Sequence, residues 1–177
     1  MRSMHLQITL LTHEREVDRP TNTGCIALAQ LPHICRRIVW SRVEPDDSLL
    51  SLAAQSNTWL LFPASERQPD PELHYSQPSF FAQHASVNII ILDATWQEAN
   101  KMFRQSPYLK QLKRLSFSDI APSNYVLRRN QVAGGLCTLE CVAQLMADAG
   151  CQQDAQQLHQ ALTEMPTSRQ PKGLDHR

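Results

Sequence analysis

Net charge, paired cysteines, metal-ligand spacings and long apolar runs are all missing from this 177-residue sequence. Lysine plus arginine and aspartate plus glutamate number 17 each, so whole-chain charge selects no class of partner. The five cysteines, Cys25, Cys35, Cys137, Cys141 and Cys151, are odd in number and contain no C-x-x-C pair. That argues against a disulfide framework or a zinc knuckle and fits reduced thiols of the cytosol. The histidines include no i,i+4 pair, so no metal is expected. No apolar run reaches membrane-spanning length, and the N-terminus lacks the apolar core of a signal peptide. A cytoplasmic protein with no membrane partner is the expectation. There is no internal repeat, and the patterns carry no signal for an oligomeric state. The length fits one domain with a core of its own.

What the chain does have is concentrated between Val87 and Leu109. Val87 to Leu92 is apolar apart from Asn88, the pattern of a strand buried on both faces. The period then changes at once: Trp96, Ala99, Met102 and Phe103 recur at helical spacing, with Thr95 placed as an N-cap and Glu98 completing a capping box. Asp93 lies between the two elements, just past the carboxyl end of the strand. Ligands of open α/β sheets bind in that crevice, and the helix dipole favours a carboxylate there. Plain capping of the helix is the competing role for Asp93.

Around this centre, strands alternate with helices. Met4 to Leu11, Arg36 to Trp40, Thr58 to Phe62 and Lys113 to Phe117 read as strands, and Cys25 to Leu31 as a short helix broken by Pro32. Asp46 or Asp47 caps a helix over Leu49 to Ala53. Leu136 to Ala149 reads as an apolar helix stopped by Gly150, and Gln152 to Leu162 as a polar one. Residues 63–85, with four prolines, read as a surface loop or lid in which Phe80 and Phe81 are packing anchors. The expected fold is α/β, a single domain over residues 1–165 with a mostly parallel sheet flanked by helices, and a flexible tail over 166–177.

Charge is neutral overall but not evenly spread. Glu44 to Glu72 holds six acidic residues and one basic, whereas Thr95 to Asn130 holds seven basic ones against Glu98 and Asp119. The seven are Lys101, Arg104, Lys110, Lys113, Arg114, Arg128 and Arg129. A basic face beside the candidate site suits an RNA substrate; the competing reading is a solvated face.

Leu92-Asp93-Ala94-Thr95-Trp96 resembles the D-x-T-W signature of the DTW-domain family. Four further blocks resemble that family, in its order: Asn22-Thr23-Gly24, Trp40 to Pro45, Phe62-Pro63-Ala64 and Gly135 to Glu140. The resemblance implies a SPOUT-like α/β fold knotted near its C-terminus. It also implies a tRNA-uridine aminocarboxypropyltransferase, moving the 3-amino-3-carboxypropyl group of S-adenosylmethionine to N3 of a uridine and releasing 5′-methylthioadenosine. Such transfer asks for positioning of one of three electrophilic carbons and for loss of the N3 proton. The resemblance puts Asp93 in the catalytic site, as base or as a charged anchor for the cofactor. It puts Asn22, Gly24, Phe62, Pro63, Leu92, Thr95, Trp96, Leu136, Cys137 and Thr138 around that cofactor. Thr138 is alternatively the N-cap of the following helix, and Arg42 and Glu44 are either an ion pair or substrate contacts. Many members carry a cysteine-rich N-terminal segment that this sequence does not show, a difference that bears on substrate choice. Two rival functions are a SPOUT-type methyltransferase using the same pocket and a non-catalytic RNA-binding module.

Overall fold

The alternation of apolar strands and short amphipathic helices resolves into a doubly wound layer structure. A computed structural model describes residues 4–62, 73–117 and 137–164. The strands are β1 (His5–Thr12), β2 (Cys35–Val39), β3 (Thr58–Leu61), β4 (Leu73–Ser76), β5 (Ser86–Asp93) and β6 (Lys113–Phe117). The helices are α1 (Gly24–Gln30), α2 (Asp47–Ala53), α3 (Pro78–Ala82), α4 (Trp96–Arg104), α5 (Pro107–Lys110), α6 (Thr138–Asp148) and α7 (Gln152–Thr163). The six strands form one sheet in the order β2-β1-β5-β3-β6-β4, with every pairing parallel.

The chain runs outward from β1 to β2, then crosses to β3 on the far side of β5. This reversal opens a crevice at the carboxyl ends of the central strands, where ligands of such sheets bind. Thr12, the last residue of β1, stands in register with Asp93, the last of β5.

Each central strand is buried on both faces, and its period of two feeds two cores. Ile8, Leu10, Val87, Ile89 and Ile91 pack with α1, α3, α6 and α7. Leu11, Leu60, Phe62, Ile90 and Leu92 pack with α2, α4 and α5. The same alternation sends Thr12, Arg37 and Asp93 to the α1/α6 side, while Trp96 joins the α2/α4 side. The D-x-T-W block is therefore split between the two layers.

Most elements fall within a residue or two of their sequence-based bounds, with two corrections. Residues 73–82 are not loop: they form β4 and α3, and Phe80 and Phe81 sit at 5% and 4% exposure with their rings edge-on at 5.1 Å. Prolines masked this, since Pro78 occupies the first turn of α3, the helical position where proline is tolerated. The second correction is at α6, whose N-cap is Cys137, not Thr138; Glu140 accepts the Cys137 N–H at 3.2 Å. Pro63, the segment 118–136 with Arg128, Arg129 and Leu136, and the expected tail lie outside the described residues.

Gly150 ends α6 with φ +89°, and the Cys151 N–H closes back to the Met146 carbonyl at 2.8 Å. Among the described residues, no atom beyond its chain neighbours stands within 4 Å of where its Cβ would be, so the strain expected in Gly150→Ala is that of its backbone. We expect a loss of about 1 kcal/mol, read as a shift in urea midpoint with unchanged slope.

Candidate active site

Asp93 is 1% exposed, and its carboxylate collects donors from four separate parts of the chain. Oδ1 accepts from Asn22 Nδ2 at 2.9 Å and from Thr138 Oγ1 at 2.8 Å. Oδ2 accepts from Thr12 Oγ1 at 3.0 Å and shares the Asn22 amide at 3.1 Å. Arg37 Nη2 stands 3.6 Å from Oδ2, donates to Asn22 Oδ1 at 3.0 Å, and its Nε donates to Thr12 Oγ1 at 3.1 Å. Burying a carboxylate costs several kcal/mol. Charge-assisted hydrogen bonds, each worth about 1.5–3 kcal/mol, offset that. The amide of Asn22 has only one sensible orientation here, since its nitrogen faces carboxylates and its oxygen faces Arg37 and the Cys25 N–H.

This geometry gives a reason for each residue of the Asn22-Thr23-Gly24 block. Asn22 supplies the amide. Thr23 Oγ1 accepts the Leu139 N–H at 3.1 Å, tying α1 to the start of α6. A Cβ on Gly24 would stand 2.7 Å from Asp93 Oδ2, so only glycine lets the carboxylate seat beside α1.

A second buried carboxylate extends the network. Glu16, 0% exposed, accepts from Asn22 Nδ2 at 3.0 Å and pairs with Arg19. Arg19 reaches on to both Glu98 oxygens at 3.2 and 3.3 Å. Glu98 completes the expected capping box of α4, accepting the Thr95 N–H at 3.0 Å while its own N–H donates to Thr95 Oγ1 at 3.3 Å. Burial alone would raise the Glu98 carboxyl; the Thr95 N–H and the Arg19 guanidinium outweigh it and hold the group below the usual carboxylate range. Asp93 is thus linked to Thr95 twice, along the chain and through Asn22, Glu16, Arg19 and Glu98.

On the other face, Phe62 stacks on Trp96 at 5.9 Å and on Phe103 at 4.7 Å. Arg114 lies over Phe103 and Phe62 at 4.9 and 5.5 Å. Phe62 and Trp96, expected around one ligand, therefore form one wall, with Leu92 buried behind it in the α2/α4 core. The Cys137 thiol is pushed up to about 12 by burial, so it stays protonated and packs as a small apolar group. Among the basic residues, Lys101, Arg104 and Lys110 are exposed on α4 and α5. Lys113 instead donates to the Ser56 carbonyl at 3.3 Å and lies over Trp59 at 4.9 Å, at the amino end of the sheet. Arg42 and Glu44 are both exposed and form no ion pair with each other.

The sequence reading missed Thr12, Arg37, Glu16 and the reach of Arg19. Thr12 and Arg37 sit inside strands, and only the sheet order brings them to a residue 81 positions away in the case of Thr12. Glu16 closes a 3-10 turn (Glu14–Glu16) and Arg19 follows it, in a polar stretch of sequence where charged side chains ordinarily face water.

Comparison with known proteins identifies the family. The DTW domain matches residues 1–170. The chain is 27% identical over 147 residues to a Drosophila melanogaster protein named tRNA-uridine aminocarboxypropyltransferase 2, covering 80% of this chain and 55% of that one. It is 28% identical over 144 residues to the Macaca fascicularis and Mus musculus proteins of the same name, covering 80% of this chain and 46% of each. The chain thus spans about half the length of the curated relatives it matches. No solved structure matches it. With the domain match covering residues 1–170, nearly the whole of it, the chain belongs to the DTW domain family.

Proposed function

We propose that this chain transfers the 3-amino-3-carboxypropyl group of S-adenosylmethionine to N3 of a uridine in tRNA, with release of 5′-methylthioadenosine. The observation that carries the reading is the convergence of the family blocks on Asp93 at the carboxyl end of the sheet, together with the names of the relatives. The residues present suit the donor. Among the described residues of the network, Asp93, Glu16 and Glu98 stand with the cations Arg37 and Arg19, an acidic surrounding that suits a bound sulfonium and ammonium. Phe62 and Trp96 offer an aromatic wall for an adenine or a methionine chain. Asn22, Gly24 and Thr138 surround the Asp93 carboxylate and Thr95 starts α4 beside it; buried Leu92 and Cys137, with Pro63 and Leu136, stay in the proposed pocket on the resemblance alone.

When bound, the donor supplies a carbon made electrophilic by the adjacent sulfonium and a neutral thioether as leaving group. The protein's task is to present the correct carbon, which is positioning work. Within the proposal Asp93 is the anchor of that geometry: its two oxygens already accept from Thr12, Asn22 and Thr138, so taking a substrate proton would first require one donor to leave. Thr138, half-buried at the start of α6, is positioned by the same carboxylate. Within the basic run, exposed Lys101, Arg104 and Lys110 are open to RNA phosphates, with Lys113, Arg114, Arg128 and Arg129 kept in the proposal on the charge pattern alone. A SPOUT-like knotted path, a transferase domain over 1–165 and a cytoplasmic location belong to the same proposal. Among the described residues no helix is long and apolar enough to cross a membrane.

The test compares nucleosides of tRNA and of ribosomal RNA from cells with and without the gene, by mass spectrometry. The expected result is an aminocarboxypropyl-uridine lost from tRNA alone. A methylated base lost instead, or no change in tRNA, would overturn the proposal.

A further inference from the structure

An open cleft of about 770 Å³ lies at the carboxyl ends of β1 and β2, beside the Asp93 network but separate from its carboxylate. Its floor is His13 and Trp40, whose rings stack at 5.7 Å and 27°. Trp40 is pinned through Nε1 to Ser106 Oγ at 2.8 Å, and His13 Nδ1 accepts the Arg15 N–H at 3.1 Å. The rim carries exposed Arg15, Arg42 and Lys101. Against these cations stand Glu14 and Glu98, and Glu98 is already paired with Arg19. Val39 and Val43, also lining the cleft, leave 49% and 84% of their surface in water. Three cations around a volume within the range of small-molecule sites, with apolar surface at its edge, suit an anion that carries a flat ring.

We propose that this cleft seats a single unpaired nucleotide of the RNA substrate, its base against the His13–Trp40 floor and Val39, and its flanking phosphates on Arg15, Arg42 and Lys101. The inference rests on the proposed transfer reaction for its choice of RNA, and it places the RNA on the β1–β2 side, where Lys101 is the one cation that the basic segment 95–130 contributes among the described residues. The floor connects directly to the candidate site: the His13 N–H donates to the Asp93 carbonyl at 3.2 Å, and Glu98 belongs both to the cleft and to the network around Asp93. An unpaired nucleotide held there brings its base to the end of β1 and β5, where the transfer is proposed to occur. Stacking platforms ringed by cations recognise single strands in this way.

The test uses the full chain and two probes, a five-nucleotide oligouridylate and the same oligonucleotide lacking its central base. Arg15 and Arg42 are exposed and make no side-chain bond, so the double variant Arg15→Gln, Arg42→Gln should fold. Wild type is expected to bind the oligouridylate several-fold more tightly than the abasic probe. The double variant should weaken oligouridylate binding about tenfold and lower its log–log salt slope by about 1.4, two single-strand phosphate contacts at about 0.7 each. A comparison variant, Arg104→Gln with Lys110→Gln, should weaken full-length tRNA binding only and leave the short probe unaffected. Wild-type affinity and slope in the cleft variant, or equal binding of the two probes, would overturn the inference. S-adenosylmethionine binding and transfer are measured in the same proteins. Normal transfer with unchanged probe binding by the cleft variant defeats the cleft and spares the reaction; weakened probe binding by that variant without transfer by wild type defeats the reaction and spares the cleft.

Discussion

Asp93→Asn is expected to cost about 2–4 kcal/mol of stability and to lower the transfer rate at least a hundredfold. The amide keeps the shape of the carboxylate but replaces one acceptor oxygen by a donor. Thr12 and Thr138 can turn their hydroxyls to accept from it. Arg37 and the Asn22 amide cannot turn, because each has only N–H to offer on that side. Whichever way the new amide faces, a donor meets a donor, and the Arg37 guanidinium loses its buried counter-charge. Removing one member of a buried pair costs several kcal/mol, less here because Arg37 is 19% exposed. The rate falls for a geometric reason: a shift of about 1 Å in positioned groups costs about a hundredfold. Urea unfolding, calorimetry with S-adenosylmethionine and single-turnover transfer read the three consequences separately. A variant as stable as wild type that binds cofactor within a few-fold and has lost only its rate would show a proton acceptor, not an anchor. Thr95, not Asp93, caps α4, so a cap effect does not enter.

Gly24→Ala should be nearly as damaging, and for a reason confined to one methyl group. The added carbon would lie 2.7 Å from Oδ2, 3.1 Å from Cγ and 3.2 Å from Oδ1 of Asp93. A carboxylate at the end of a free side chain would swing away at little cost. This one is held by Thr12, Asn22 and Thr138, so retreat breaks hydrogen bonds, and the alternative is to push α1 off the sheet. Overpacking of this kind typically costs about 1–3 kcal/mol, and we expect a tenfold or larger loss of transfer with it. Gly150→Ala serves as the comparison, since it adds the same methyl group in open space. Gly24→Ala no more destabilising than Gly150→Ala, with transfer intact, would mean that the carboxylate seat is not fixed as described.

Local patterns in the sequence were enough for some of this and not for the rest. The apolar run 87–92 followed by Thr95 and Glu98 specifies strand, turn and capped helix within a dozen residues, because hydrogen bonds of the capping box are local. The place of Asp93 at a carboxyl end follows from the same stretch. Its partners do not. Thr12 and Arg37 reach it only because β5 inserts beside β1 and β1 beside β2, and a strand order is a long-range property that periodicity does not encode. Glu16 looks like a solvated loop residue until Asn22 and Arg19 are seen to enclose it. Lys113 belongs to a run of basic residues along the chain, yet the sheet turns it toward Trp59 and Ser56, away from the carboxyl-end crevice. The prolines between residues 63 and 78 suggested continuous loop, but Pro78 opens a helix whose phenylalanines are core.

The most direct test of the account is the fate of the donor in a single turnover. Purified protein is mixed with unmodified tRNA and S-adenosylmethionine labelled in the methionine chain, and both products are identified by mass spectrometry. The account predicts label on uridine N3 with one 5′-methylthioadenosine released for each uridine modified, and loss of both products together in Asp93→Asn. S-adenosylhomocysteine with an unlabelled methyl group on the RNA, or wild-type amounts of product from Asp93→Asn, would contradict it.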